Sequence, residues 1–98
     1  VNAFKTQTIR EKHHLTMQEE YILGLVDALA PISTSRILLL AEKQDSMSPS
    51  TAHKYLKQLQ RKKFVHVTKA DDSRLREFAP TGKGTVFLQE LSHAYVRG

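Results

Sequence analysis

The sequence has no cysteine and no tryptophan, only four glycines and three prolines in 98 residues, and ten acidic residues against fifteen lysines and arginines. Without cysteine there is neither a disulfide framework nor a thiolate metal site, which fits a reducing cytoplasm. The longest unbroken apolar run, Ile37 to Ala41, is far below the roughly 20 residues that cross a bilayer, and no secretory leader pattern opens the chain, so no membrane partner is expected. The glycines are isolated except around Lys83, which leaves no phosphate-cradling loop, and neither a nucleophile elbow nor a zinc-protease helix is present. His13 and His14 are adjacent and cannot share a helix face, while His53, His66 and His93 are scattered with no acid or cysteine to complete a metal set. The expectation is a protein that is not an enzyme and uses no cofactor and no metal.

What the chain does have is segregated positive charge. From Lys54 to Arg76 there are eight bases (Lys54, Lys57, Arg61, Lys62, Lys63, Lys69, Arg74, Arg76) against Asp71 and Asp72, a net +6, whereas the rest of the chain nets −1. Charge carried for solubility is interspersed; a basic surface confined to one stretch is the footprint of a polyanion binder. The length permits one domain with one modest core, and no internal repeat or low-complexity stretch suggests more.

The order of elements is legible from periodicity and punctuation. Residues 1–15 are mostly polar, with isolated Phe4 and Ile9 and no strong period, and read as an N-terminal arm. Thr16 and Glu19 form a capping box, after which Tyr21, Ile22, Leu25, Val26 and Leu29 recur at helical spacing up to Pro31, predicting a helix over 17–30. Ile32 and Ser33 can supply a very short strand. Ser33, Thr34 and Ser35 offer caps for a second helix to Lys43, with Ile37, Leu40 and Ala41 inward and at least one of Leu38 and Leu39 packed elsewhere. Ser48 caps a third helix that begins at Pro49 and reaches Lys62. Two helices joined by the polar turn Asp45-Ser46-Met47 make a helix-turn-helix. Residues 64–68 alternate as a strand, residues 69–75 form a charged turn, and residues 76–79 return. Phe87, Leu88, Leu91 and Tyr95 then share one side of a last helix. The predicted fold class is mainly α (α+β): a winged helix-turn-helix with a two-stranded wing and a C-terminal helix. It is a single domain over 1–98, with the arm at 1–15, the core at 16–84 and a C-terminal helix for dimerisation at 85–98.

At about 100° per residue, Ser50, Lys54, Lys57 and Arg61 fall in a narrow arc opposite Ala52, Leu56 and Leu59. One face of the third helix is therefore core and the other cationic. A helix seated in a DNA major groove needs that division, because cationic side chains meet phosphates while short polar residues in its first turn approach base edges. Arginine, asparagine and glutamine are the strong base readers, and from Pro49 to Lys57 the third helix has none; Gln58 lies off the basic stripe and Arg61 stands at the far end, better placed for the backbone. Affinity should rest on phosphate neutralisation, with sequence preference partly from DNA shape.

Residues 32–91 resemble the DNA-binding lobe of the MarR family of bacterial transcriptional regulators. The resemblance is carried by Asp72-Ser73-Arg74 in the turn, by Thr81-Gly82-Lys83-Gly84 after the returning strand, and by Ser48-Pro49-Ser50-Thr51 with Lys54 at the start of the third helix. It implies that Arg74 enters the minor groove and that Asp72 orients it. It also implies that Ser50, Thr51 and Lys54 meet bases and phosphates, with Lys57 and Arg61 on the backbone. Ser48 and Arg76 complete the set of expected DNA-binding residues. Two departures stand out. Pro80 replaces the usual leucine and should end the wing strand, since proline cannot donate to the ladder. Full members of the family also carry longer terminal helices that build the dimer and a ligand crevice, so a reduced or rearranged dimer is expected and no small-molecule effector is carried over.

The reading is a double-stranded DNA-binding transcriptional regulator, a homodimeric repressor working in the cytoplasm on the nucleoid. Its dimer contact is expected to combine Phe4 and Ile9 of the arm with Leu88, Leu91 and Tyr95. The alternatives are a winged-helix protein-interaction module, which exposed Leu38 or Leu39 would suit, and the DNA-docking domain of a replication or recombination factor.

Overall fold

The computed structural model describes residues 3–69 and 76–97. Five helices surround a small sheet: α1 (Ala3–His13), α2 (Met17–Leu29), β1 (Ile32–Ser33), α3 (Thr34–Asp45), α4 (Pro49–Arg61), β2 (Val65–Lys69), β3 (Glu77–Pro80) and α5 (Gly82–Arg97). The sheet is antiparallel in the order β1-β3-β2. Phe78 lies opposite both Ile32 and Val67, which places its ring at the sheet centre, and a bulge interrupts β2 between Val67 and Lys69. β3 ends at Pro80, where the backbone offers no N–H to continue the ladder.

Helices α2 to α5 all begin on side-chain caps, α5 on Thr81, whose hydroxyl accepts from the Gly84 N–H. Thr16 closes a capping box with Glu19 on α2, Ser33 accepts from the Arg36 N–H on α3, and Ser48 accepts from the Thr51 N–H on α4 with proline in the first turn. Helix ends are less conventional. His14, Ser46 and Lys63 take the left-handed conformation usual for glycine, with φ of 60°, 53° and 67°. After α1 and α4 the buried apolar residues Leu15 and Phe64 follow, their N–H groups returning to the carbonyls of Arg10 and Leu59 at 2.9 Å each. The apolar contact locks a turn that lacks its favoured residue.

Residues 3–13 form a helix, not an irregular arm. Its inward face is Thr6, Ile9, Arg10 and His13, a helical spacing carried mainly by polar residues and therefore invisible as hydrophobic periodicity. Arg10 pairs with Glu20 of α2, and His13 bonds Glu90 of α5 at 3.0 Å while stacking edgewise on Phe64 and Phe87.

The core gathers Ile22, Leu23 and Val26 of α2, Ile37 and Ala41 of α3, and Ala52, Leu56 and Leu59 of α4. Ile32, Phe64, Val65, Phe78, Phe87 and Leu91 complete it. Two expectations change. Leu23 is buried where Leu29 was expected, because α5 lies against the Leu23 side of α2. Leu91, expected at a dimer contact, is only 3% exposed and belongs to the core of the single chain. On α3, Leu40 is half-buried, Leu38 packs against the core edge, and Leu39 is left 47% exposed.

Candidate nucleic-acid interface

Helix α4 divides as its spacing requires. Ala52, Leu56 and Leu59 are buried, while Ser50, Lys54, Lys57 and Arg61 are exposed on the opposite side. Lys54 also rests its ammonium 5.5 Å from the Tyr55 ring centroid, a contact that restrains the side chain without removing its charge. The stripe presents three cations along a helix whose other face is fastened to the core.

The first turn of α4 is a small hydroxyl network. Ser48 Oγ accepts from the Thr51 N–H at 3.3 Å and donates to Thr51 Oγ1 at 2.8 Å, with Ser50 Oγ 3.4 Å away. Ser48 and Thr51 thus serve the helix cap first, whereas Ser50 stands exposed beside the cationic stripe. Asp72 and Arg74 lie outside the described residues. Arg76 sits at the corner between β3 and α3: its carbonyl accepts from the Thr34 N–H at 2.9 Å, and its Nε is buried without a partner among the described residues.

Lys62 belongs by sequence to the basic stretch, yet it turns inward. Its Nζ donates to Glu19 Oε2 at 2.8 Å and to the His14 carbonyl at 2.7 Å. Glu19 read as a helix cap in the sequence; nothing local showed that the same carboxylate would be buried and need a cation. Lys83, in the Thr81-Gly82-Lys83-Gly84 motif, donates to the Lys62 carbonyl at 3.2 Å and lies 4.6 Å from the Phe64 ring centroid. Thr81 Oγ1 donates to the Lys63 carbonyl at 2.6 Å and accepts from the Gly84 N–H at 3.2 Å. The motif is a seam that joins the start of α5 to the end of α4.

An open apolar groove of about 520 Å³ lies between α2 and α5, lined by Tyr21, Gly24, Leu25, Leu88, Leu91 and Tyr95 among others. Among the described residues no cluster of three or more His, Cys, Asp or Glu is placed to hold a metal, and no helix is long and apolar enough to cross a membrane.

A helix-turn-helix of α3 and α4, followed by an antiparallel return and a covering helix, defines a winged helix-turn-helix protein. Within that class, the fold is that of the MarR-family regulators. The Staphylococcus aureus MepR–DNA complex matches with a TM-score of 0.77 at 20% identity, over 95% of this chain and 74% of that one. Staphylococcus aureus MarR in complex with salicylate and kanamycin matches at 0.71 and 25% identity, over 94% and 64%. Lactococcus lactis ZitR, a zinc-responsive MarR family member, matches at 0.63 and 25% identity, over 85% and 55%. The chain therefore spans between about half and three quarters of the length of these proteins. No protein-family model and no curated protein sequence matches the chain.

Proposed function

We propose that the chain is a double-stranded DNA-binding transcriptional regulator of the MarR type, a repressor that works as a homodimer on the nucleoid and has no catalytic role. The observation that carries this reading is the α4 stripe of Ser50, Lys54, Lys57 and Arg61, exposed on a helix whose opposite face is core. In this reading α4 lies in the major groove, with Lys54, Lys57 and Arg61 on phosphates and Ser50 nearest the base edges. Ser48 and Thr51 shape the first turn. The turn carrying Asp72 and Arg74 reaches the adjacent minor groove, where a guanidinium suits the stronger negative potential of narrow A·T tracts. Arg76 holds the base of that turn. The likeness to MepR, solved with DNA, supports the arrangement.

Two copies are proposed because a single winged helix covers only a short half-site. The exposed apolar groups of the terminal helices, Phe4, Val86 and Tyr95, offer the contact in place of Leu91. The test is fluorescence anisotropy of labelled duplex DNA across a salt series. Binding should weaken steeply, with a log-log slope of about −0.9 for each phosphate neutralised. A complex insensitive to salt would reject the reading and favour a protein-interaction module.

A further inference from the structure

We infer that Lys62 is a positioning residue for DNA recognition, one that fixes the orientation of α4 rather than touching DNA; the inference rests on the DNA-binding reading above. Three helices meet α4 at this one residue. Its Nζ donates to the carbonyl of His14, which closes α1, and to the Glu19 carboxylate in the first turn of α2. Its own carbonyl accepts from Lys83 in the first turn of α5. The C-terminal end of α4 is thereby tied to α1, α2 and α5 through a single side chain and its backbone.

The chemistry makes the tie stiff. Glu19 is 0% exposed, and its Oε1 already accepts from the Thr16 N–H at 2.8 Å and the Thr16 hydroxyl at 3.1 Å. Lys62 supplies the cation at Oε2, and among the described residues it is the one cation paired with this carboxylate. A buried carboxylate cannot lose its counter-charge cheaply, so rolling or sliding α4 would separate two charges in a low dielectric. At the other end of the helix, the hydroxyls of Ser48, Ser50 and Thr51 bond among themselves and give no such anchor.

Position on the helix separates this role from phosphate contact. Lys62 follows Arg61 and so lies about 100° round the helix axis from it, off the cationic stripe. Ser50 lies about 18 Å away along the axis, and a tilt of about 5° at Lys62 would carry it by about 1.6 Å. That displacement exceeds the tolerance of a directional hydrogen bond.

The test uses the double variant Glu19→Gln/Lys62→Met, which removes the buried carboxylate together with its half-buried partner cation while glutamine keeps the capping interactions. A duplex selected from a random library by the wild type, and a scrambled duplex of equal length, serve as probes. The expected result is a melting temperature close to wild type, affinity for the selected duplex down about ten-fold, and affinity for the scrambled duplex little changed. Binding of the selected duplex within about two-fold of wild type would overturn the inference. So would an equal loss on both duplexes with a salt slope shallower by about one unit, because Lys62 would then be a phosphate contact. If the double variant does not fold, Glu19→Gln alone decides the matter when measured well below its melting temperature. Its site is buried away from the cationic stripe, so reduced discrimination between the two duplexes supports positioning and unchanged discrimination overturns it. A wild type that selects no duplex would reject the DNA-binding reading itself, and the positioning role with it.

Discussion

A Cβ on Gly84 would sit 2.3 Å from the Phe64 carbonyl oxygen and 3.3 Å from Leu23 Cδ1, closer than the backbone can accept without moving. The same Phe64 carbonyl receives the Thr81 N–H at 3.0 Å, so α5 and the segment after α4 meet backbone to backbone. Gly84→Ala should therefore cost about 1–3 kcal/mol by forcing these elements apart. Urea melts of wild type and variant measure it, and an unchanged midpoint would mean that α5 can shift freely. Gly82, by contrast, would meet nothing within 4 Å, so Gly82→Ala serves as the control. In the sequence these residues were legible as a motif with a family likeness. The reason for a glycine at 84 was not legible, because the clashing atom belongs to a residue twenty positions earlier.

At the scale of elements, α4 and α1 differ in how openly they declare themselves. The cationic and apolar faces of α4 follow from spacing alone, and its role can be tested one cation at a time. Lys57→Ala should weaken binding to all duplexes about equally and make the salt slope shallower by about one unit. A loss confined to one sequence would instead make Lys57 a base reader. Helix α1 hides its inward face in Thr6, Arg10 and His13, and its seam with α5 is partly ionic. The hydrogen bond from His13, helped by the Lys12 ammonium, holds the Glu90 carboxyl below its ordinary value of 4.5, although burial pushes the other way. A carboxyl with a depressed folded-state pKa stabilises fully above its unfolded value and loses that contribution as pH falls through the folded one. The α1–α5 seam should thus weaken below about pH 4.5. Glu90→Gln should cost no more than about 1 kcal/mol at neutral pH, given the partial exposure of the pair, and should flatten the acid limb of the stability profile. An identical acid limb in the variant would show that other carboxylates govern it.

At the scale of the whole molecule, the question is which apolar residues a single chain needs and which it leaves for a second copy. Leu91 is enclosed by the core, so Leu91→Asp should abolish cooperative folding and is no test of association. Val86 is 50% exposed on α5 and Phe4 79% exposed on α1, and neither is required inside the chain. Val86→Asp should keep the melting temperature within a few degrees while shifting sedimentation from dimer toward monomer at micromolar concentration. The same variant should bind a two-half-site duplex, with half-sites about one helical turn apart, much more weakly than wild type. Equal sedimentation of variant and wild type would place the dimer contact elsewhere.

Much of this protein follows from local rules. Caps at Thr16, Ser33 and Ser48 mark where helices begin, alternation marks β2, and the spacing of Ala52, Leu56 and Leu59 against Lys54, Lys57 and Arg61 determines which side of α4 faces out. These are properties of neighbours in the chain, set by hydrogen bonds and periodicities within a turn or two. What only the tertiary structure decided are pairings across long separations. Lys62 left the basic stretch for Glu19, forty-three positions earlier. A polar stretch became a helix because Glu20, Glu90, Phe64 and Phe87 were there to receive it. Leu91 was taken into the core because α5 came to rest on α2. The physical reason is the same in each case: burial assigns a role to a charge or an apolar group only after distant elements have supplied its partner.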